Sequence, residues 1–134
     1  SKYINESIRT SAAGGTKILT INFANARGSS PIYNKGAYIH LKCIITGEVL
    51  GVFKEYVSDF TVAVSPKSGT PLRVLEQICY DITAGAGGPI TVSNLSSVSD
   101  TTYDIILTSG STTIDNQAGV LFYEVNSDNV TSVS

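Results

Sequence analysis

A chain of 134 residues, 42% of them apolar and 15% charged, is large enough for a single domain with a real core and needs no staples to hold it. Its net charge is −2, and its nine Lys and Arg are scattered, which argues against a nucleic-acid partner. No apolar run reaches membrane-spanning length and no signal-peptide pattern opens the chain, so membrane insertion is not expected.

Ser, Thr, Gly, Val and Ile carry much of the sequence, a bias toward strands and turns. Methionine is absent even at position 1, which predicts a processed product or an excised fragment. Residues 1–15 have weak periodicity and end in Thr10-Ser-Ala-Ala-Gly-Gly15. They read as a lead-in, with Tyr3, Ile4 and Ile8 packing on the body or on a neighbouring subunit. A single domain is expected over residues 16–134.

Thr16 to Ala24 alternates Lys17, Leu19, Ile21 and Phe23 against Ile18, Thr20 and Asn22, which predicts a strand. A loop from Asn25 to Lys35 follows. Ala37 to Thr46 is the next strand, with Ala37, Ile39, Leu41, Cys43 and Ile45 inward and Tyr38, His40, Lys42 and Ile44 outward. Gly47-Glu48 is read as the turn into an antiparallel return over Val49 to Val57, with a separate short strand over Phe60 to Ser65.

Two strong turn clusters, Pro66 to Pro71 and Thr83 to Pro89, bracket Leu72 to Ile82. Leu72, Val74, Ile78, Tyr80 and Ile82 share one face at period two, broken by Glu76. The pattern predicts a long central strand with that face in the core. Shorter strands are expected at Ile90 to Leu95, Thr101 to Thr108 and Gly119 to Val125, with a stub at Thr112 to Ile114 and a polar tail that frays. About eight strands, no helix and no gap for a crossover helix predict an all-β fold: an antiparallel β-sandwich of jelly-roll type.

No constellation of residues announces a reaction. The lone His40 reads as an outward surface residue, no Gly-x-Ser-x-Gly elbow occurs, and one His with two distant Cys makes a transition-metal site unexpected. Asp59, Glu76, Asp81 and Asp104 are the carboxylates available for a glycosidase pair. Glu76 stands out because strand parity puts it on the apolar face, where an acid needs a partner; the reading preferred to a catalytic acid is a strand end, a bulge or a subunit interface, with Arg73 or Lys54 as the partner. Gly85-Ala-Gly-Gly88 lacks the ending of a phosphate loop and reads as a connection between strands. The Asp and Asn of Asp115-Asn-Gln and Asn126-Ser-Asp-Asn129 do not follow a calcium-loop spacing. Three Asn-x-Ser/Thr triplets begin at Asn5, Asn94 and Asn129, as chance allows in so Ser/Thr-rich a chain. Cys43 and Cys79 are expected to be reduced and buried. The chain is therefore expected to be no enzyme and to use no cofactor or metal.

What remains is a surface dressed in tyrosine and short polar groups, with Tyr33, Tyr38, Tyr56 and Tyr103 expected on loops or outward faces. Rings that stack on sugars and small groups that bond hydroxyls suit a glycan, although the same residues fill oligomer interfaces. The loop from Asn25 to Lys35 offers Arg27 and Tyr33, the predicted ligand-binding residues. The loops at Lys67 to Thr70, Gly85 to Gly88 and Asp115 to Gln117 are expected to share its end of the sandwich.

The Ser/Ala/Gly lead-in, then Gly15-Thr-Lys-Ile-Leu-Thr-Ile-Asn-Phe23, then about eight strands with polar loops, resembles the C-terminal tip domain of a bacteriophage tail fibre or receptor-binding protein. Tumour-necrosis-factor and C1q-like trimeric jelly rolls have the same general layout. The resemblance implies a homotrimeric, non-enzymatic head on the virion surface, outside the cell, that contacts a host surface receptor or glycan. A structural virion domain (capsid decoration, head fibre or tail assembly) and a carbohydrate-binding module or small β-sandwich hydrolase are the alternatives.

Overall fold

The computed structural model describes residues 2–4, 15–25, 36–64, 72–93, 99 and 101–134. They form ten strands: β1 (Lys2–Ile4), β2 (Thr16–Phe23), β3 (Ala37–Val49), β4 (Val52–Val64), β5 (Leu72–Asp81), β6 (Ala86–Gly87), β7 (Thr91–Ser93), β8 (Thr102–Thr108), β9 (Asp115–Asn126) and β10 (Val130–Val133). A six-stranded sheet runs β1-β9-β3-β4-β5-β6 and a four-stranded sheet runs β10-β2-β8-β7. All pairs are antiparallel. The fold is an antiparallel β-sandwich, as the sequence predicts.

Alternation along the strands builds the core. Ile39, Leu41, Cys43 and Ile45 of β3, Phe60, Val62 and Val64 of β4, and Leu121 of β9 face Leu19, Ile21 and Phe23 of β2 and Tyr103, Ile105 and Leu107 of β8. Phe23 and Tyr103 meet edge to face at 5.8 Å between ring centroids. On the far side of the smaller sheet, Thr20 donates to Asp104 at 2.8 Å and Thr102 donates to Asn22 at 2.8 Å, pinning the β2–β8 register with polar pairs. A bulge between Lys17 and Leu19 lets Ile18 be buried as well, breaking the simple alternation.

Several boundaries differ from the periodicity. The β3–β4 hairpin turns at Leu50–Gly51, not Gly47-Glu48, and β4 absorbs both of the strands expected between Val49 and Ser65. Asp115 to Gln117 lie inside β9, residues 112–114 form no strand, and the tail forms β10 against β2. Lys2–Ile4 of the lead-in pair with β9. Tyr56 and Tyr103 are buried, so of the tyrosines expected outside only Tyr38 is shown there; Tyr33 lies outside the described residues.

The stretch expected to be central, β5, is a strand but has only the two-residue β6 beyond it. A bulge at Leu75 sets Thr61 opposite Glu76 but Val62 opposite Val74. Beyond the bulge the faces are therefore the reverse of those expected. Gln77, Cys79 and Asp81 pair with or lie beside inward residues of β4, while Ile78 and Tyr80 point out, Ile78 being 64% exposed. Val74 shares the inner side with Val62 yet is exposed, because the short β7 does not extend over it. Gln77 instead reaches across the sandwich, its Oε1 accepting the Val92 N–H at 3.1 Å. Glu76 sits directly after this bulge, one of the placements expected for it, and is exposed.

Cys43, Ser58 and Cys79 form one inward row across β3, β4 and β5. Two strand spacings, roughly 10 Å, separate the cysteines, too far for a disulfide, and both are free. Cys43 is buried, and burial, then the neighbouring Cys79, push its thiol up to about 12. Cys79 is only half-buried, against the expectation of two buried thiols. A Cβ on Gly88 would stand 2.5 Å from Cys79 Sγ, so this position in the Gly-rich connection must stay small. Thiol titration of the native protein is expected to modify Cys79 alone, with Cys43 reacting only after denaturant is added.

The hairpin turn carries positive φ at both central positions, 51° at Leu50 and 78° at Gly51. That geometry favours Asn-Gly, and Leu50 is 96% exposed, so its side chain gains nothing in return. Leu50→Asn is expected to stabilise the fold by about 0.5–1 kcal/mol, read as a melting temperature higher by about 3 °C.

Asp81 closes the β5–β6 turn. The Thr83 hydroxyl donates to its Oδ1, the Ala84 N–H donates to the same oxygen at 3.1 Å, and Lys54 Nζ lies 3.4 Å from Oδ2. The Thr83 bond is the largest influence on the carboxyl pKa and lowers it; burial opposes, and Ala84 and Lys54 lower it further. A depressed folded pKa stabilises the fold above the unfolded value, near 3.9, and this contribution is lost as pH falls through the folded value. Asp81→Asn should therefore lower the melting temperature at neutral pH, with the difference from wild type shrinking below about pH 4.

Candidate functional site

The long shared register of β3 turns the outer face of the larger sheet into rows of cross-strand neighbours. Running from β9 through β3 and β4 to β5, they read Asn126–Tyr38–Ala63–Arg73, then Glu124–His40–Thr61–Glu76, then Phe122–Lys42–Asp59–Ile78, then Val120–Ile44–Val57–Tyr80. The face thus has two characters. Toward the hairpin end it is apolar and uncovered, with Ile44, Phe122, Ile78, Tyr80 and Ile82 all exposed. Toward the other end it is polar and aromatic.

The polar end is the one where β2, β4 and β9 finish and where β3, β5 and β8 begin. The β9–β10 turn clamps it. Ser127 Oγ donates to Gly36 O at 2.8 Å and accepts the Asn129 N–H at 3.1 Å, while Asn129 Nδ2 donates to Asn25 O at 3.2 Å. Asn25 and Gly36 are thereby tied to one turn, which fixes both anchor points of the connection from β2 to β3. Asn126 to Asn129 is a structural clasp of the sandwich, rather than a solvated turn.

A cleft of about 680 Å³ opens beside this clasp, within the size range of small-molecule sites. Ala63, nearly buried, lies between Tyr38 and Arg73 in its lining. The Tyr38 ring is 62% exposed, and the Arg73 guanidinium makes no ion pair among the described residues. Asn126 and Asp128 line the opposite side. Smaller grooves, of about 340 and 330 Å³, continue along β3 and β9 past His40 and Glu124 to Phe122.

The predicted ligand-binding residues Arg27 and Tyr33 lie outside the described residues, within the connection whose anchors are Asn25 and Gly36. The four loops expected to share an end do not. The connections from β2 to β3 and from β4 to β5 leave the clasp end, whereas Gly85 to Gly88 and Asp115 to Gln117 lie at the opposite end. In the Gly-rich stretch, Gly85 N donates to Asp81 O and Gly88 N donates to Cys79 O, both at 2.8 Å, so these amides hold the turn rather than an anion. The four candidate carboxylates are dispersed: Asp59 accepts from His40 at 2.7 Å on the outer face and Glu76 is exposed at β5. Asp81 holds its turn, and Asp104 faces outward on the other sheet. Among the described residues no group of three His, Cys, Asp or Glu is placed to hold a metal ion. Among the described residues no helix is long and apolar enough to cross a membrane.

Sequence reasoning singled out Tyr38 as an outward tyrosine but missed Arg73, Asn126 and Asp128 beside it. The signal for Arg73 is its place at the start of β5 after a turn cluster, where a strand side chain stands at the rim of a sheet.

No protein-family model matches the chain, no curated protein is similar to it in sequence, and no solved structure is similar to it.

Proposed function

We propose that the chain is a non-enzymatic, self-associating recognition head of the kind that tips bacteriophage fibres, carried on the virion surface and contacting a host receptor or glycan. One observation supports this reading above others: the outer face of the larger sheet is half apolar and uncovered, half polar and cleft-bearing. Contiguous exposed apolar surface of this kind marks an interface. The occupant that suits it is a second copy of the chain. The face carries both signs, Lys42 and Arg73 against Asp59, Glu76, Glu124 and Glu55, so like faces meet without a uniform repulsion. Both flanks of the apolar half are sticky, Val120 and Phe122 at β9 and Ile78 and Tyr80 at β5. Docking the β5 flank of one copy on the β9 flank of the next is a heterologous contact, which gives a ring where the rotation between copies closes and a filament where it does not, and closure at three copies is what this reading takes. The clasp end, with its cleft and loop anchors, then points away from the shared surface and is left free for a receptor.

Gel filtration with light scattering is expected to give about three times the 14.1 kDa chain mass. The Ile44→Asp, Tyr80→Asp double variant is expected to run as a monomer with an unchanged far-UV spectrum. A wild-type monomer at high concentration overturns the assembly. Labelled wild-type protein should also adsorb to some members of a panel of intact bacterial cells. Assembly without adsorption to any cell would favour the competing reading, a structural virion domain whose apolar face binds other viral subunits.

A further inference from the structure

We infer that the tip of the β3–β4 hairpin inserts into the interfacial layer of a phospholipid bilayer. The inference goes beyond the recognition reading and does not rest on it, because a single chain carries the tip. Leu50, Val52 and Phe53 are 96%, 58% and 57% exposed, so three large apolar side chains crowd one turn. The sequence forgoes stability to hold them there. Leu50 adopts φ 51°, a left-handed position that suits Asn or Gly, and its side chain is left in water. A residue that breaks a local rule with no packing in return marks a functional element.

Shape and size select the partner. Strand parity sends Val52 to the inner side of the hairpin and Phe53 to the outer side, with Leu50 at the apex between them. A protein lying on the outer face of the larger sheet would reach Phe53 and leave Leu50 and Val52 in water. The tip, Leu50 to Phe53, also falls far short of the roughly 20–30 residues a side that a stable protein interface uses. A bilayer has neither requirement: it flows around a convex tip and rewards apolar area wherever that area points. The charges behind the tip set its depth. Glu48 is drawn toward β9, where its Oε2 accepts from Asn116 Nδ2 at 3.0 Å, and Lys54 is drawn toward β5, its Nζ 3.4 Å from Asp81 Oδ2. Both are turned aside from the tip, yet they keep it out of the hydrocarbon core, where charge is costly. Shallow insertion of this kind needs no apolar run of spanning length, and unlike electrostatic adsorption it survives added salt.

The probes are phosphatidylcholine vesicles, added to the intact protein at low and at high salt. The chain contains no Trp, so Leu50→Trp and Val52→Trp each place a single reporter at the tip, and Tyr38→Trp reports from the clasp end. Melting temperature and assembly mass are checked for every variant. On adding vesicles, emission from both tip reporters is expected to shift to the blue and to be quenched by lipids brominated on their acyl chains. Emission from Tyr38→Trp is expected to do neither. Leu50→Asn, which the turn geometry favours, should weaken co-sedimentation with the vesicles about tenfold without lowering the melting temperature, whereas Leu50→Phe should stay within about threefold. Wild-type binding should be the same at both salt concentrations. Wild type that fails to sediment with the vesicles, tip reporters that stay unquenched, binding that Leu50→Asn leaves intact, or binding lost at high salt overturns the inference. A fall in assembly mass on Leu50→Asn assigns the tip to a protein contact and overturns it as well.

Discussion

The long β3 strand is the constraint on which the rest of the structure depends. Its residues from Ala37 to Val49 each pair with a residue of β4, and those from Tyr38 to Glu48 pair with β9 as well, apart from one irregularity near Glu48. A strand held on both sides cannot slip by one position without sending Ile39, Leu41, Cys43 and Ile45 out of the core. Once those four are fixed inward, Tyr38, His40, Lys42 and Ile44 are fixed outward, and so are the residues opposite them on β4 and β9. The outer face is thus a by-product of core packing, and its pattern of apolar and polar halves is written into the same alternation that folds the chain.

At β5 that control is relaxed. The bulge at Leu75 gives the strand one residue more than its partner, and the extra residue reverses the faces of everything beyond it. It also adds twist near the margin of the sheet, which disfavours uncontrolled pairing with other chains. The consequence is that Ile78 and Tyr80 come to the outer face, where Tyr80 continues the row of Val57, Ile44 and Val120 and Ile78 lies beside it at the end of the next row. Without the bulge, the polar Gln77 and Cys79 would point outward and this row would stop at β4. The bulge therefore carries the apolar surface to the sheet's far side, and it simultaneously turns Gln77 inward to bond Val92 of the facing sheet.

The sequence made the class of fold and most strands legible because period-two alternation is a local property. Residues 16–24, 37–46 and 101–108 needed no knowledge of their neighbours. The inward set of β3 follows from its own spacing. What could not be read locally was the cover over each face. In β5 the apolar positions Val74, Ile78 and Tyr80 look like a core face, yet whether a strand is central depends on which strands lie beside it, and the one break in the alternation, at Glu76, does not by itself say that the faces reverse beyond it. Leu50 at positive φ shows the same limit at the turn: nothing about a leucine announces a left-handed position, so the Gly47-Glu48 pair was the more natural turn on composition. The site was less legible still. Tyr38 is visible as an outward ring, but Arg73, Ala63 and Asn126 reach it only through strand pairings that join residues 10 to 88 positions apart.

The row of Lys42 and Asp59 divides the two halves of the face, and its chemistry explains why they stay distinct. Lys42 and Asp59 are opposite each other in register, and Asp59 also accepts from His40 at 2.7 Å on the adjacent row. These groups are half-exposed, so the pairing is worth little in stability, as surface ion pairs are. Its effect is on desolvation. A partner surface that covers the apolar row at Ile44 can do so at small electrostatic cost, but advancing two strand positions would strip water from Lys42 and from the hydrogen-bonded Asp59 and His40, a cost that grows as the dielectric falls. An interface growing from the hairpin end therefore has a natural border at this row.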